Sequence, residues 1–142
     1  TYERIYTKYP SSEFADDALL RAGFNHAKFF EFEEAVDKYI RLAEDKRYEA
    51  SEHRSKSLKS AASLTESLQD YRRASALYAK YAQQVADPAE KAEGLFLAAE
   101  AIAKTGDHAA TVKAYRAFVD THGSDPKQTS RTVEAWLKIG KE

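Results

Sequence analysis

Large, small and aromatic residues return along this chain at a helical spacing, and the whole set then returns at a longer one. Leu19, Ala22, Gly23, Ala35 and Tyr39 recur as Leu58, Ala61, Ala62, Ala74 and Tyr78, and again as Leu95, Ala98, Ala99, Thr111 and Tyr115. In all three sets the offsets from the first member are 3, 4, 16 and 20 residues. The first three members lie three and four apart, so they share one face of a helix. The last two are four apart and share a face of a second helix. Between the helices the pattern breaks at Phe29, Phe30 and Glu31, at Ser67, Leu68 and Gln69, and at Lys104, Thr105 and Gly106. Tyr2, Tyr39, Tyr78 and Tyr115 mark the beat, in steps of 37, 39 and 37 residues. A period of that size predicts a solenoid of stacked helix pairs.

The slots make physical sense. A small residue (Gly23, Ala62, Ala99) opposite another (Ala35, Ala74, Thr111) lets two helices approach closely. The tyrosine one turn later fills the space beside that pair. The connectors between hairpins vary in length, which costs little compared with a change in a packed face. The pattern predicts eight helices: a stub to about residue 9, then 12–28, 31–45, 48–67, 70–85, 88–104, 107–121 and a last one from 127. These make hairpins 12–46, 48–86 and 88–122, flanked by a trailing helix at 1–10 and a leading helix at 127–142, in one solenoid over 1–142. Asp87, Pro88 and Glu90 offer a cap, a first-turn proline and a capping-box acid. Asp125 and Pro126 repeat the cap and proline. Gly106 and Gly123 stand where a helix end needs a left-handed residue. The serine-rich stretch 51–60 is the least apolar; Leu58, Ala61, Ala62, Leu64 and Leu68 continue a helical face from it and favour a helix over a loop. Tyr2 to Pro10 read as the second helix of an earlier repeat, and Trp136, Ile139 and Gly140 restart the first-helix pattern, so the chain reads as a piece of a longer protein.

These residues resemble the tetratricopeptide repeat, in which a large residue and small residues one turn on are followed by Ala and an aromatic in the second helix. Trp136, Leu137, Lys138, Ile139 and Gly140 look like that family's opening motif, and Gly106 to Tyr115 like its turn and second helix. The resemblance implies an all-α, right-handed superhelical solenoid of antiparallel hairpins. Tyr9, Pro10, Ser12, Ala15 and Ala18 look like the connector of bacterial envelope repeat proteins, a likeness shared with motility and secretion machines. That implies a periplasmic or cell-envelope location, with the cytoplasm as the alternative.

Composition narrows the function. Hydrophobic residues are 43% and charged residues 32%, which suits amphipathic helices with much surface. A net charge of -1 opposes a nucleic-acid partner held by a global positive field. The absence of cysteine removes disulfides, thiolate metal sites and a cysteine nucleophile. No apolar run reaches the roughly 18 residues of a membrane helix, so membrane insertion is not expected. There is no phosphate-binding glycine loop and no Ser-His-Asp arrangement with a nucleophile elbow. An active site, a cofactor and a metal are therefore not expected.

In the resembled family the first helix of each hairpin lines a concave groove. That implies a groove formed by Asp17, Leu20 and Phe24, by Lys56, Lys59 and Ser63, and by Glu93, Phe96 and Glu100. Phe24 and Phe96 are candidate anchors for a peptide, with packing against a neighbouring helix as the alternative. Lys56 and Lys59, one turn apart, suit a carboxylate or phosphate, against the alternative of a solvated face. The family's carboxylate-gripping lysine is followed four residues on by asparagine; here Ser63 follows Lys59, so chaperone tails are not expected as ligands. His26, His53, His108 and His122 lack the paired spacing of a helical metal site; His26 and His108 read as packing residues. The implied function is a protein–protein interaction scaffold holding a peptide or partner helix, within an envelope, motility or secretion assembly. The alternatives are an accessory domain of an enzyme and a structural solenoid that associates end to end.

Overall fold

The computed structural model describes residues 2–9, 14–28 and 30–141, and these form eight α-helices with no strand among them. They are α1 (Tyr2–Lys8), α2 (Ala15–Lys28), α3 (Phe32–Glu44), α4 (Arg54–Ser67), α5 (Tyr71–Gln84), α6 (Pro88–Ala103), α7 (His108–His122) and α8 (Thr129–Lys141). The fold is all-α. Single 3₁₀ turns, Lys46–Tyr48 and Pro126–Gln128, precede α4 and α8. The expected connector residues Pro10 and Ser12, the latter also the expected helix start, and Phe29 lie outside the described residues.

The chain divides into two compact units, Thr1–Gln69 and Asp70–Glu142, and the second hairpin contributes α4 to one and α5 to the other. In the first unit α1 packs on α2, α2 on α3 and α3 on α4. In the second, α5 packs on α6, α6 on α7 and α7 on α8. The repeat slots explain both. Ala22, Ala35, Ala61, Ala62, Ala74, Ala98 and Ala99 are all buried. Thr111, in an alanine slot, is tolerated because its Oγ1 donates to the Asp107 carbonyl at 2.7 Å, which satisfies the hydroxyl. A further small slot lies one residue before each leading large residue: Ala18, Ser57, Gly94 and Ala135 are all buried. At Gly94 a Cβ would stand 2.9 Å from both the Ala82 Cβ and the Tyr81 Cδ1, so α5 and α6 meet at glycine contact.

Each unit has its own core. Tyr6, Leu19, Leu42 and Tyr48 gather in the first, with alanines of α2 between them. In the second, Phe96 meets Tyr115 and Phe118 edge to face, at ring-centroid distances of 5.9 and 5.3 Å. Fully burying such a ring is worth about 1.5–3 kcal/mol, and the edge-on geometry adds to it.

The turns inside the hairpins carry the repeat more faithfully than their sequences do. Phe30, Gln69 and Gly106 all have positive φ, at 64°, 65° and 77°. Each stands eleven residues after its leading large residue. The next residue, Glu31, Asp70 or Asp107, caps the second helix. Asp70 and Asp107 accept from the amides of Arg73 and Ala110. Glu31 makes no such bond; its carboxylate goes to His26 instead.

Four expectations are corrected. α4 begins at Arg54, not near residue 48. Ser51 donates its hydroxyl to Asp16 Oδ2 at 2.7 Å and accepts from the His53 amide, which fixes a turn there. The Arg54 guanidinium then donates to the Ala43 and Glu49 carbonyls, closing the C-terminus of α3. Gly123 ends α7 in right-handed helical geometry, φ −64°, so only Gly106 plays the left-handed role. His108 is exposed rather than packed, and His26 lies in an ion-pair cluster rather than a core.

Candidate functional site

α2 sets Asp17, Leu20, Arg21 and Phe24 in one stripe, because they are three, four and seven residues apart. Across from it α4 sets Lys56 and Ser60 one turn apart. Between them lies the ring of Tyr39 from α3. These seven side chains line a depression of about 360 Å³ in the first unit. Arg21 Nε donates to Asp17 Oδ2 at 2.8 Å, and His53 Nε2 stands 3.9 Å from Asp17 Oδ1, so the acid is already offset. Lys56 is exposed and forms no ion pair among the described residues. Phe24 is 63% exposed, a large apolar ring left open to solvent.

A second depression, of about 420 Å³, lies in the second unit. Glu100 and Ala103 come from α6 and Lys104 from its C-cap, Tyr115 from α7, and Glu134 and Lys138 from α8. Counted from the leading large residues, with Trp136 leading α8, four of its six positions repeat those of the first. Tyr115 takes the place of Tyr39, Glu100 that of Phe24, Glu134 that of Lys56, and Lys138 that of Ser60. The shared positions differ in chemistry: Phe24, Lys56 and Ser60 in the first unit stand where Glu100, Glu134 and Lys138 stand in the second, while a tyrosine is common to both.

Asp17, Leu20, Phe24 and Lys56 are thus brought together in the first unit, and Glu100 takes the corresponding place in the second. Lys59, Ser63 and Glu93 line neither depression. Phe96 is corrected: at 6% exposure it belongs to the core and anchors nothing outside it. The leading-helix pattern could not separate Phe24 from Phe96, because they stand four residues, one helical turn, apart in register and so share a face. Arg21, Ser60, Tyr39, Lys104, Tyr115, Glu134 and Lys138 were not expected. Following the register of Lys56 and Ser60 into α8 would have found Glu134 and Lys138. A third recess, of about 270 Å³ and almost wholly apolar, lies over Leu95, Ala98 and Ile102 of α6 between α5 and α7. Only the alanines of α7 hint at it in the sequence.

Near the start of the first unit, His26 Nδ1 lies 2.5 Å from Glu31 Oε2 and its Nε2 lies 3.3 Å from Glu3 Oε1. The hydrogen bond to Glu31 raises the His26 pKa above 6.5, against the opposing effect of partial burial. His122 moves the other way, because burial disfavours its charged form. The described residues contain no group of three or more His, Cys, Asp or Glu placed to hold a metal ion. Among them, no helix is long and apolar enough to cross a membrane.

Comparison with family models, with curated proteins and with solved structures finds no match to this chain.

Proposed function

We propose that this chain is a binding scaffold: a tetratricopeptide-like solenoid of the bacterial envelope type that holds a peptide or partner helix against the leading helices of its hairpins. The observation that carries this reading is the pair of depressions at equivalent register. A constant frame of two leading helices and one tyrosine, with changing side chains around it, suits a surface that reads different parts of a partner. An enzyme would instead concentrate its chemistry once. The volumes fall within the range of about 300–1,000 Å³ usual for ligand clefts. An exposed aromatic beside a free ammonium gives the first depression both an anchor and a polar contact.

The test is binding to an array of defined peptides, followed by Phe24→Ala and Glu134→Lys in the whole chain. Loss or redirection of binding, with the helical circular dichroism unchanged, supports the scaffold. Binding that ignores both substitutions refutes the groove.

A further inference from the structure

Phe30 is the most exposed large hydrophobic residue described, at 80%. It also sits at φ 64°, a conformation that bulky side chains rarely adopt. The turn itself does not require a phenylalanine, since Gln69 and Gly106 make the same turn in the other hairpins. Its edge contact with Phe32, at 5.8 Å between centroids, sets two aromatic rings together at the tip. Next to the rings along the chain come Glu31, the N-cap of α3, and Glu33 and Glu34 in its first turn. Glu31 is engaged by His26, while Glu34 is exposed at the first turn of α3. The α2–α3 tip is therefore an aromatic knob with an acid one turn behind it.

The depression of the same unit is the complement of that tip. It offers the open Phe24 ring, Leu20 and Tyr39 to an aromatic side chain, and Lys56 to a carboxylate. Its own acid, Asp17, is paired with Arg21 and does not repel one. We infer that the occupant of this depression is a second copy of the chain, whose α2–α3 tip inserts Phe30 beside Phe24 and sets Glu34 against Lys56. The inference rests on the depression being a binding surface and names its occupant. It also accounts for an exposed aromatic at a strained backbone position, where removal would otherwise favour folding.

The experiment is sedimentation of the whole chain from low to high micromolar concentration. Association that rises with concentration is expected. Phe30→Gly removes the knob while relieving the backbone, so it is expected to weaken association at least about tenfold without loss of fold. Lys56→Glu is expected to weaken it similarly, and Lys56→Glu with Glu34→Lys to restore it, because the charges are exchanged rather than removed. Trp136→Ala is expected to leave it unchanged, although Trp136 is exposed on α8. A chain that stays monomeric overturns the inference. So does association that survives Phe30→Gly, fails to recover with the exchanged charges, or is lost with Trp136→Ala. A labelled acidic peptide of alternating Phe and Glu, titrated into the chain in parallel, separates the two readings. If the chain is monomeric but binds this peptide through Phe24, only the second copy is wrong; if it does neither, the binding reading of this depression fails as well.

Discussion

Tyr39 lies across Gly23: a Cβ built on that glycine would stand 2.7 Å from the Tyr39 Cε1 and 2.9 Å from its Cδ1. The leading helix α2 and the second helix α3 are thus in contact through a bare backbone and an aromatic face. The other hairpins carry alanine in the Gly23 slot. The first hairpin is the tightest version of one joint, and the same Tyr39 ring forms part of the depression above it.

Gly23→Ala is expected to destabilise the chain. An alanine gains about 0.5–1 kcal/mol in a helix interior, but overpacking a buried ring costs about 1–3 kcal/mol. The clash wins because Tyr39 is buried, and shifting its ring into the depression it borders would give up the contacts that bury it. Urea denaturation measures the balance. In a Tyr39→Leu background the sign should reverse, and Gly23→Ala should then stabilise.

The three positive-φ turns respond in opposite ways. Phe30→Gly and Gln69→Gly are each expected to stabilise by about 0.5–1 kcal/mol, because a left-handed residue with a Cβ costs about 1–2 kcal/mol and glycine returns part of that as chain entropy. Gly106→Ala is expected to lose about 1 kcal/mol. Its Cβ would meet nothing within 4 Å, so the whole effect is backbone strain rather than packing. Equilibrium unfolding of the three variants checks the ordering.

Arg54 ties the start of α4 to the end of α3. Nε donates to the Ala43 carbonyl at 2.8 Å, and the same carbonyl takes a second bond from Nη2. Arg54→Met keeps the apolar stem and removes the donors. It should cost about 1.5–3 kcal/mol, the usual range for hydrogen bonds to a charged group. Protection of the Asp45 amide, which closes the last turn of α3 onto Arg41, should fall in hydrogen exchange.

Two ionisable groups bend the stability curve in opposite directions. Arg47 bonds Asp45 through its side chain and its backbone amide and holds that carboxyl at about 2. A depressed acid contributes stability above its unfolded pKa of 3.8, and that contribution is lost as pH falls toward 2. His26 is raised above 6.5, chiefly by its bond to Glu31. Its contribution is fully present below 6.5 and is lost as pH rises through the folded value. The pairing carboxylates of Glu3 and Glu31 are more than half exposed, so the effect is screened by solvent and salt. An NMR titration should place the His26 midpoint above that of a free histidine, and Glu31→Gln should bring it down.

Helices, turns and slots were legible in the sequence because each depends on residues close along the chain. Five aspartates at helix starts, among them Asp87 and Asp125, bond the amides that follow them. The late start of α4 was not legible, since it depends on Ser51 reaching Asp16, 35 residues away. The candidate site divides the same way. Asp17, Leu20 and Phe24 share a stripe that spacing alone provides. Tyr39 and Ser60 enter the same depression only because α3 and α4 pack beside that stripe.

The period by itself determined that this protein is built from helix pairs with small residues at their joints, because a packed face tolerates only the residues that fit it. Tertiary structure alone decided which aromatics close the cores and which stay open. Phe24 and Phe96 follow their leading residues by five positions and one, which is one helical turn apart and nearly the same face, so spacing could not tell them apart; packing alone leaves one ring facing solvent and wedges the other against Tyr115 and Phe118.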